Sequence, residues 1–163
     1  MAIQHEMVAV GAAVVLVSTG AALAVAAEGF RDYGMAVDAA ESRGVVVSRT
    51  RDGRCLVLAN TLDCSPRAYV LVTDIDSGKS EVVHAPEGVP GAGAFGSMLS
   101  QNGRLYTGRG RHLLEFDPET MTWTWHGVPA PSAQNYMSFA EDPGGSRIWA
   151  AAHPTCTLVR FDP

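Results

Sequence analysis

The chain has 163 residues, enough for one domain, and its 47% apolar and 18% charged side chains exclude a disordered tail. Twelve Lys and Arg against seventeen Asp and Glu give a net charge of −5. No basic stripe is present that could release phosphate counterions, so nucleic-acid binding is excluded.

From Met7 to Ala27 no residue is charged, and the run ends in Ala24-Val25-Ala26-Ala27 before Glu28. An apolar run closed by an A-x-A site reads as a secretory signal peptide over residues 1–26. The lead-in MAIQHE lacks Lys and Arg and holds Glu6, unlike a standard signal, and residues 7–27 are long enough for a membrane anchor. The expected location is secreted or periplasmic, with anchoring by 7–27 as the alternative. Residues 27–43 connect this segment to the strand-rich remainder of the chain.

Beyond residue 43 no helical period competes with strand patterns. Val45-Val46-Val47-Ser48 is an apolar β-branched run that suits an innermost strand buried on both faces. Arg51-Asp52-Gly53 turns the chain, and Cys55–Ala59, Ala68–Thr73 and Ser80–His84 complete four strands. The order then repeats. Ala94–Leu99, a Gln101-Asn102-Gly103 hairpin turn, Leu105–Thr107, His112–Phe116 and Met121–His126 make a second unit. Tyr136–Ala140, Ile148–Ala152 and Cys156–Phe161 begin a third, which stops at Asp162-Pro163.

Each unit carries the same signature. Gly53-Arg54-Cys55-Leu56 leads to Asp74-Ile75-Asp76, Gly103-Arg104-Leu105-Tyr106 to Glu115-Phe116-Asp117, and Ser146-Arg147-Ile148-Trp149 to Arg160-Phe161-Asp162. The final aspartates are 41 and 45 residues apart. A strand-only repeat of about 40 to 50 residues marks β-propeller blades. The expected fold is therefore all-β: about three four-stranded blades, the last incomplete, over 44–88, 89–131 and 132–163. Phe30-Arg31-Asp32-Tyr33-Gly34 is a candidate ring-closing outer strand. Three blades do not close a ring of four to eight, so the remaining blades are expected from a longer chain or from self-association.

Several motifs have structural readings. Gly91-Ala92-Gly93-Ala94-Phe95-Gly96 matches a dinucleotide fingerprint, but a β pattern comes after it where a helix is required, so it reads as an inter-blade loop. Asp74-Ile75-Asp76 resembles the opening of a calcium loop without its distal ligands. No Cys-x-x-Cys pair supports a structural zinc site, so no metal is assigned. Cys55 and Cys64 suit either a loop disulfide or, for Cys55, a small strand residue. Trp123 and Trp125 alternate with Thr, which places both indoles on one face, for blade packing or for stacking on a sugar.

The loops joining second to third strands, with the inter-blade connections, line the face where propellers build ligand sites. That face is expected to hold Arg109, Arg111, Gln134 and Asn135 as ligand-binding residues. Tyr136 and His153 are the groups there able to move a proton. A guanidinium fork suits a carboxylate.

The segments Gly-Arg-Leu-Tyr-Thr-Gly…Leu-Leu-Glu-Phe-Asp-Pro-Glu-Thr and Arg-Ile-Trp-Ala-Ala-Ala-His-Pro-Thr-Cys-Thr-Leu-Val-Arg-Phe-Asp-Pro resemble blades of secreted bacterial seven-bladed propellers. These are the YVTN and quinoprotein-like repeat proteins and the propeller polysaccharide lyases. The resemblance covers residues 44–163 and implies a ring-face ligand, with a carbohydrate as first expectation. The lyases imply β-elimination at a uronate, a Tyr or His taking the proton and Arg neutralising the carboxylate; here these would be Tyr136, His153, Arg109 and Arg111. No tryptophan-docking motif or ligand set for a quinone cofactor is recognisable, and no cofactor is assigned.

Overall fold

The computed structural model describes residues 42–61, 67–91 and 94–163. The apolar run 7–27, the candidate strand at 30–34 and Cys64 lie outside the described residues. Blade 1 comprises β1 (Ser42–Arg49), β2 (Cys55–Thr61), β3 (Tyr69–Asp74) and β4 (Ser80–His84). Blade 2 comprises β5 (Ser97–Leu99), β6 (Leu105–Arg109), β7 (His112–Asp117) and β8 (Thr122–Gly127). Blade 3 comprises β9 (Asn135–Glu141), β10 (Ile148–His153) and β11 (Thr157–Phe161).

Each blade is an antiparallel meander whose spatial order follows the sequence. Among the described residues there is no helix. The first strands neighbour one another, β1 beside β5 and β5 beside β9, which sets the blades side by side about their inner strands. This is the all-β, bladed architecture that the repeat period indicated.

The repeated signature sets the turns and the register. Gly53, Gly103 and Gly145 take φ of 93°, 80° and 68° in the three first hairpins, a region glycine enters without a Cβ clash. Thr50 N–H donates to the Arg54 carbonyl, Ser100 N–H to that of Arg104, and Asp142 N–H to that of Arg147. In blades 2 and 3 the arginine stands opposite the aspartate at or just past the end of the third strand. Arg104 pairs with Asp117 at 2.5 Å and Arg147 approaches Asp162 at 3.7 Å, whereas Arg54 turns to Asp52 at 2.9 Å. The exposed pairs contribute little on their own.

Asp74 organises its own turn. Its Oδ1 accepts the N–H groups of Asp76 and Ser77, both at 2.9 Å, and the Ser77 bond holds the carboxyl below its ordinary range. Cys55 is a free thiol.

The core lies in two seams between blades. In the first, Leu56, Leu58, Val70 and Val72 pack on Leu105 and Phe116, with Trp123 and Val83 beside them. In the second, Leu113 meets Tyr136, Ala150, Ala152 and Val159, with Trp125 and Phe161 alongside. Burying a side chain such as Phe116 stabilises by about 1.5–3 kcal/mol. Two polar staples reinforce the seams: Arg51 N–H donates to Glu119 Oε1 at 2.8 Å and Gln101 N–H to Glu141 Oε2 at 2.7 Å.

Two expectations are corrected. Trp123 and Trp125 do not share a face, because a bulge shifts the register: Phe116 pairs with Trp123 but Glu115 with Trp125. Trp123 therefore enters the first seam, 5.1 Å from Phe116, and Trp125 the second, 4.4 Å from Phe161. Strand β1 is covered on one side only, leaving Val45 58% and Val47 56% exposed.

Candidate functional site

The hairpin β6–β7 is closed by Gly110 and Arg111, with Arg109 paired to His112. Gly110 has φ of 53°, the positive value that the first position of a type II′ turn requires. This turn places the Arg111 side chain in solvent. At the same end, the connection into β9 brings Gln134 and Asn135, and β10 ends at His153. Gln134 N–H donates to the His153 carbonyl at 2.7 Å, and Asn135 pairs with His153 in the ladder. The peptide His153–Pro154 is cis.

Of the six residues expected here, four stand at the surface. Arg111, Gln134 and His153 are exposed and Asn135 is half-buried. Tyr136 joins them only from below. It is 0% exposed, and its hydroxyl donates to the Arg111 carbonyl at 3.2 Å. Burial raises its pKa above the usual 10, so the phenol keeps its proton. Its ring closes on Gly108, where a Cβ would come within 2.8 Å of Tyr136 Cβ. Tyr136 thus couples blade 3 to the hairpin that carries Arg111.

Arg109 differs most from its expected place. It is 1% exposed, with Nη1 donating to the Gly91 carbonyl and Nη2 to that of Tyr69, both at 2.6 Å. The reason is strand length. Strand β6 runs to Arg109, so Leu105, Thr107 and Arg109 alternate onto the side that meets blade 1. The guanidinium crosses the seam and ties β3 and the blade 1–2 connection to blade 2.

The blade 1 counterpart is likewise internal. Asn60 is buried, and its amide donates to Ser97 and Thr107 across the seam. Residues 62–66 of that loop lie outside the described residues.

Sequence reasoning missed Arg67 and Pro90. An open groove of about 540 Å³ lined by Arg67, Glu87, Gly88, Val89 and Pro90 adjoins the hairpin, since a Cβ on Gly110 would sit 3.5 Å from Pro90. Arg67 Nε donates to the Ala85 carbonyl at 2.6 Å. The signal was a guanidinium directly before a third strand, which the polar run 60–66 ahead of it obscures.

His112 is half-buried beside this end. Burial, then Arg111 and His126, push its pKa below the ordinary 6.5, so it stays neutral near pH 7. Among the described residues no cluster of His, Cys, Asp or Glu could hold a metal ion. The surface can offer a guanidinium, amides and an imidazole to a polar, carboxylate-bearing ligand.

No family model matches the chain, and no curated protein matches it in sequence. Among the solved structures that are similar in shape are two from bacteria. One is the virginiamycin B lyase of Staphylococcus aureus, at 13% identity and a TM-score of 0.48, covering 76% of this chain and 41% of that one. The other is the extracellular domain of a hybrid two-component system from B. thetaiotaomicron, at 10% identity and a TM-score of 0.41, covering 72% and 20%. This chain therefore spans less than half the length of either.

Proposed function

We propose that this chain is an extracytoplasmic β-propeller module that binds a carboxylate-bearing carbohydrate at its ring face. The observation that carries the reading is the meeting of exposed Arg111, Gln134 and His153 on one end of blades 2 and 3, over a foundation locked by Tyr136 and Arg109. An arginine supplies a fork for the carboxylate, while Gln134, Asn135 and His153 offer the mixed donors and acceptors that sugar hydroxyls need.

Calorimetric titration with a uronate-containing oligosaccharide and its neutral counterpart tests this. Binding of the first only, weakened roughly tenfold by Arg111→Ala, is the expected result, from the loss of one charge-assisted hydrogen bond. No binding of either sugar would sink the reading.

The lyase alternative separates in the same samples. An unsaturated-sugar absorbance that grows with time and vanishes in His153→Ala would make the module an enzyme. Tyr136 is poorly suited to act as the base, since its proton is held by burial and engaged on a carbonyl.

Export is part of the proposal. Among the described residues no helix is long and apolar enough to cross a membrane, and the run 7–27 lies outside them. N-terminal sequencing of protein recovered outside the cytoplasm should begin at Ala27; an intact Met1 in the membrane fraction would favour the anchor.

A further inference from the structure

Successive strands of an antiparallel meander reverse direction, so the hairpins of a blade alternate between its two ends. The Arg111 hairpin joins β6 to β7, whereas the turns β1–β2, β5–β6 and β7–β8 stand at the opposite end. There, in the seam between blades 1 and 2, those three turns surround a cavity of about 160 Å³. Arg49 and Arg51 line it from blade 1 and Arg104 from blade 2, three of the chain's twelve Lys and Arg. In a chain of net charge −5 this concentrates the minority sign in one place.

Two carboxylates, Asp117 and Glu119, share the cavity, and both are engaged by the protein. Asp117 Oδ1 accepts the Glu119 N–H at 2.9 Å, and its Oδ2 accepts the Thr120 hydroxyl at 3.0 Å and pairs with Arg104 at 2.5 Å. Glu119 Oε1 accepts the Arg51 backbone N–H at 2.8 Å, which leaves the Arg51 side chain exposed. Arg49 gives one of its five N–H donors to the Gly53 carbonyl at 3.3 Å. Three guanidinium groups against two carboxylates leave the lining one charge positive. Ser48, only 4% exposed, adds a hydroxyl from the inner strand.

We propose that this cavity binds a small oxyanion, a carboxylate or a phosphate or sulfate group, between the forks of Arg49 and Arg51. The planar guanidinium matches both kinds of group with paired N–H donors. Arg104, already neutralised by Asp117, closes the blade 2 wall, and the Ser48 hydroxyl supplies a further donor from below. The space suits a small guest, since a cavity of about 150 Å³ admits one the size of benzene. Solvated surface arginines would take up anions only as diffuse, screened counterions. An anion in this cavity is instead held by residues of a seam, so its binding favours the folded blades. The site lies at the other end of the blades from Arg111 and does not depend on the ring-face reading.

Calorimetric titration of the full chain with inorganic phosphate, inorganic sulfate and acetate, at constant ionic strength, tests it. The urea midpoint is recorded in each anion as a second readout. The expected result is saturable binding of at least one of the three, with a raised midpoint in the same anion. Whether acetate or the tetrahedral anions bind more tightly tells which group the site takes. Arg49→Ala and Arg51→Ala should each weaken binding roughly tenfold, the loss of one charge-assisted contact. The Arg51→Ala midpoint without anion should match the parent, because its backbone bond to Glu119 remains. Arg111→Ala should leave anion binding intact, which separates this site from the ring face. No saturable binding of any anion, binding that survives the Arg49 and Arg51 double substitution, or binding lost with Arg111→Ala would each overturn the proposal.

Discussion

Arg109→Ala is expected to lower the unfolding free energy by about 3–4 kcal/mol, measured as a fall in the urea midpoint. The substitution leaves the Tyr69 and Gly91 carbonyls buried without the donors they now have. Each orphaned group costs about 1–3 kcal/mol, and an emptied seam adds to that. Arg109→Lys should fall between, because an ammonium is a point donor and does not span two carbonyls as the fork does. A residue that only contacted ligand from a loop would leave the midpoint unchanged, and that outcome would return Arg109 to the binding surface. Since the clamp also positions the hairpin, Arg109→Lys should weaken ligand binding through Arg111 without touching the ligand itself.

This residue shows where the sequence stops being informative. The strand positions, the hairpin turns and the three-blade repeat are local features, written in alternation, in Asn-Gly and Asp-Gly pairs and in the Gly-Arg…Asp signature, and the structure follows them closely. Gly108-Arg109-Gly110-Arg111 looked like a polar loop because two glycines and two arginines carry no apolar alternation. Extending β6 by two residues turns Arg109 inward, and only its carbonyl acceptors, 18 and 40 residues away in the chain, make that burial tolerable. Those partners are tertiary and leave no local trace. Arg111, two residues on, sits at the turn itself, where exposure follows from the hairpin alone. Tyr136 is the intermediate case: its place on an inner strand was legible, but its burial depends on the bare Cα of Gly108 in the next blade. The same holds for Val45 and Val47, whose β-branched run signals a strand without telling how many of its faces are covered.

The indole pair is the sharper test of the seams. Met-Thr-Trp-Thr-Trp alternates without fault, so nothing in it announces the bulge. The extra residue, Thr124, instead bonds back to Glu115 through its hydroxyl, donating to Oε1 at 2.5 Å. With one residue unpaired, the strand bends and the two indoles part to opposite faces. Trp123 then donates its Nε1–H to the Val83 carbonyl at 3.3 Å, and Trp125 lies over Phe161 with no residue common to the two clusters. Trp123→Ala and Trp125→Ala should each cost about 3 kcal/mol, the lower end for a large aromatic because both are half-buried. Milder Trp→Leu changes keep the double variant folded and allow a cycle. Its two effects should add to within about 0.5 kcal/mol, as expected for sites with separate partners. A coupling energy well above that in denaturant titrations would mean that the indoles share one cluster after all, and the bulged register of β7 and β8 would be wrong.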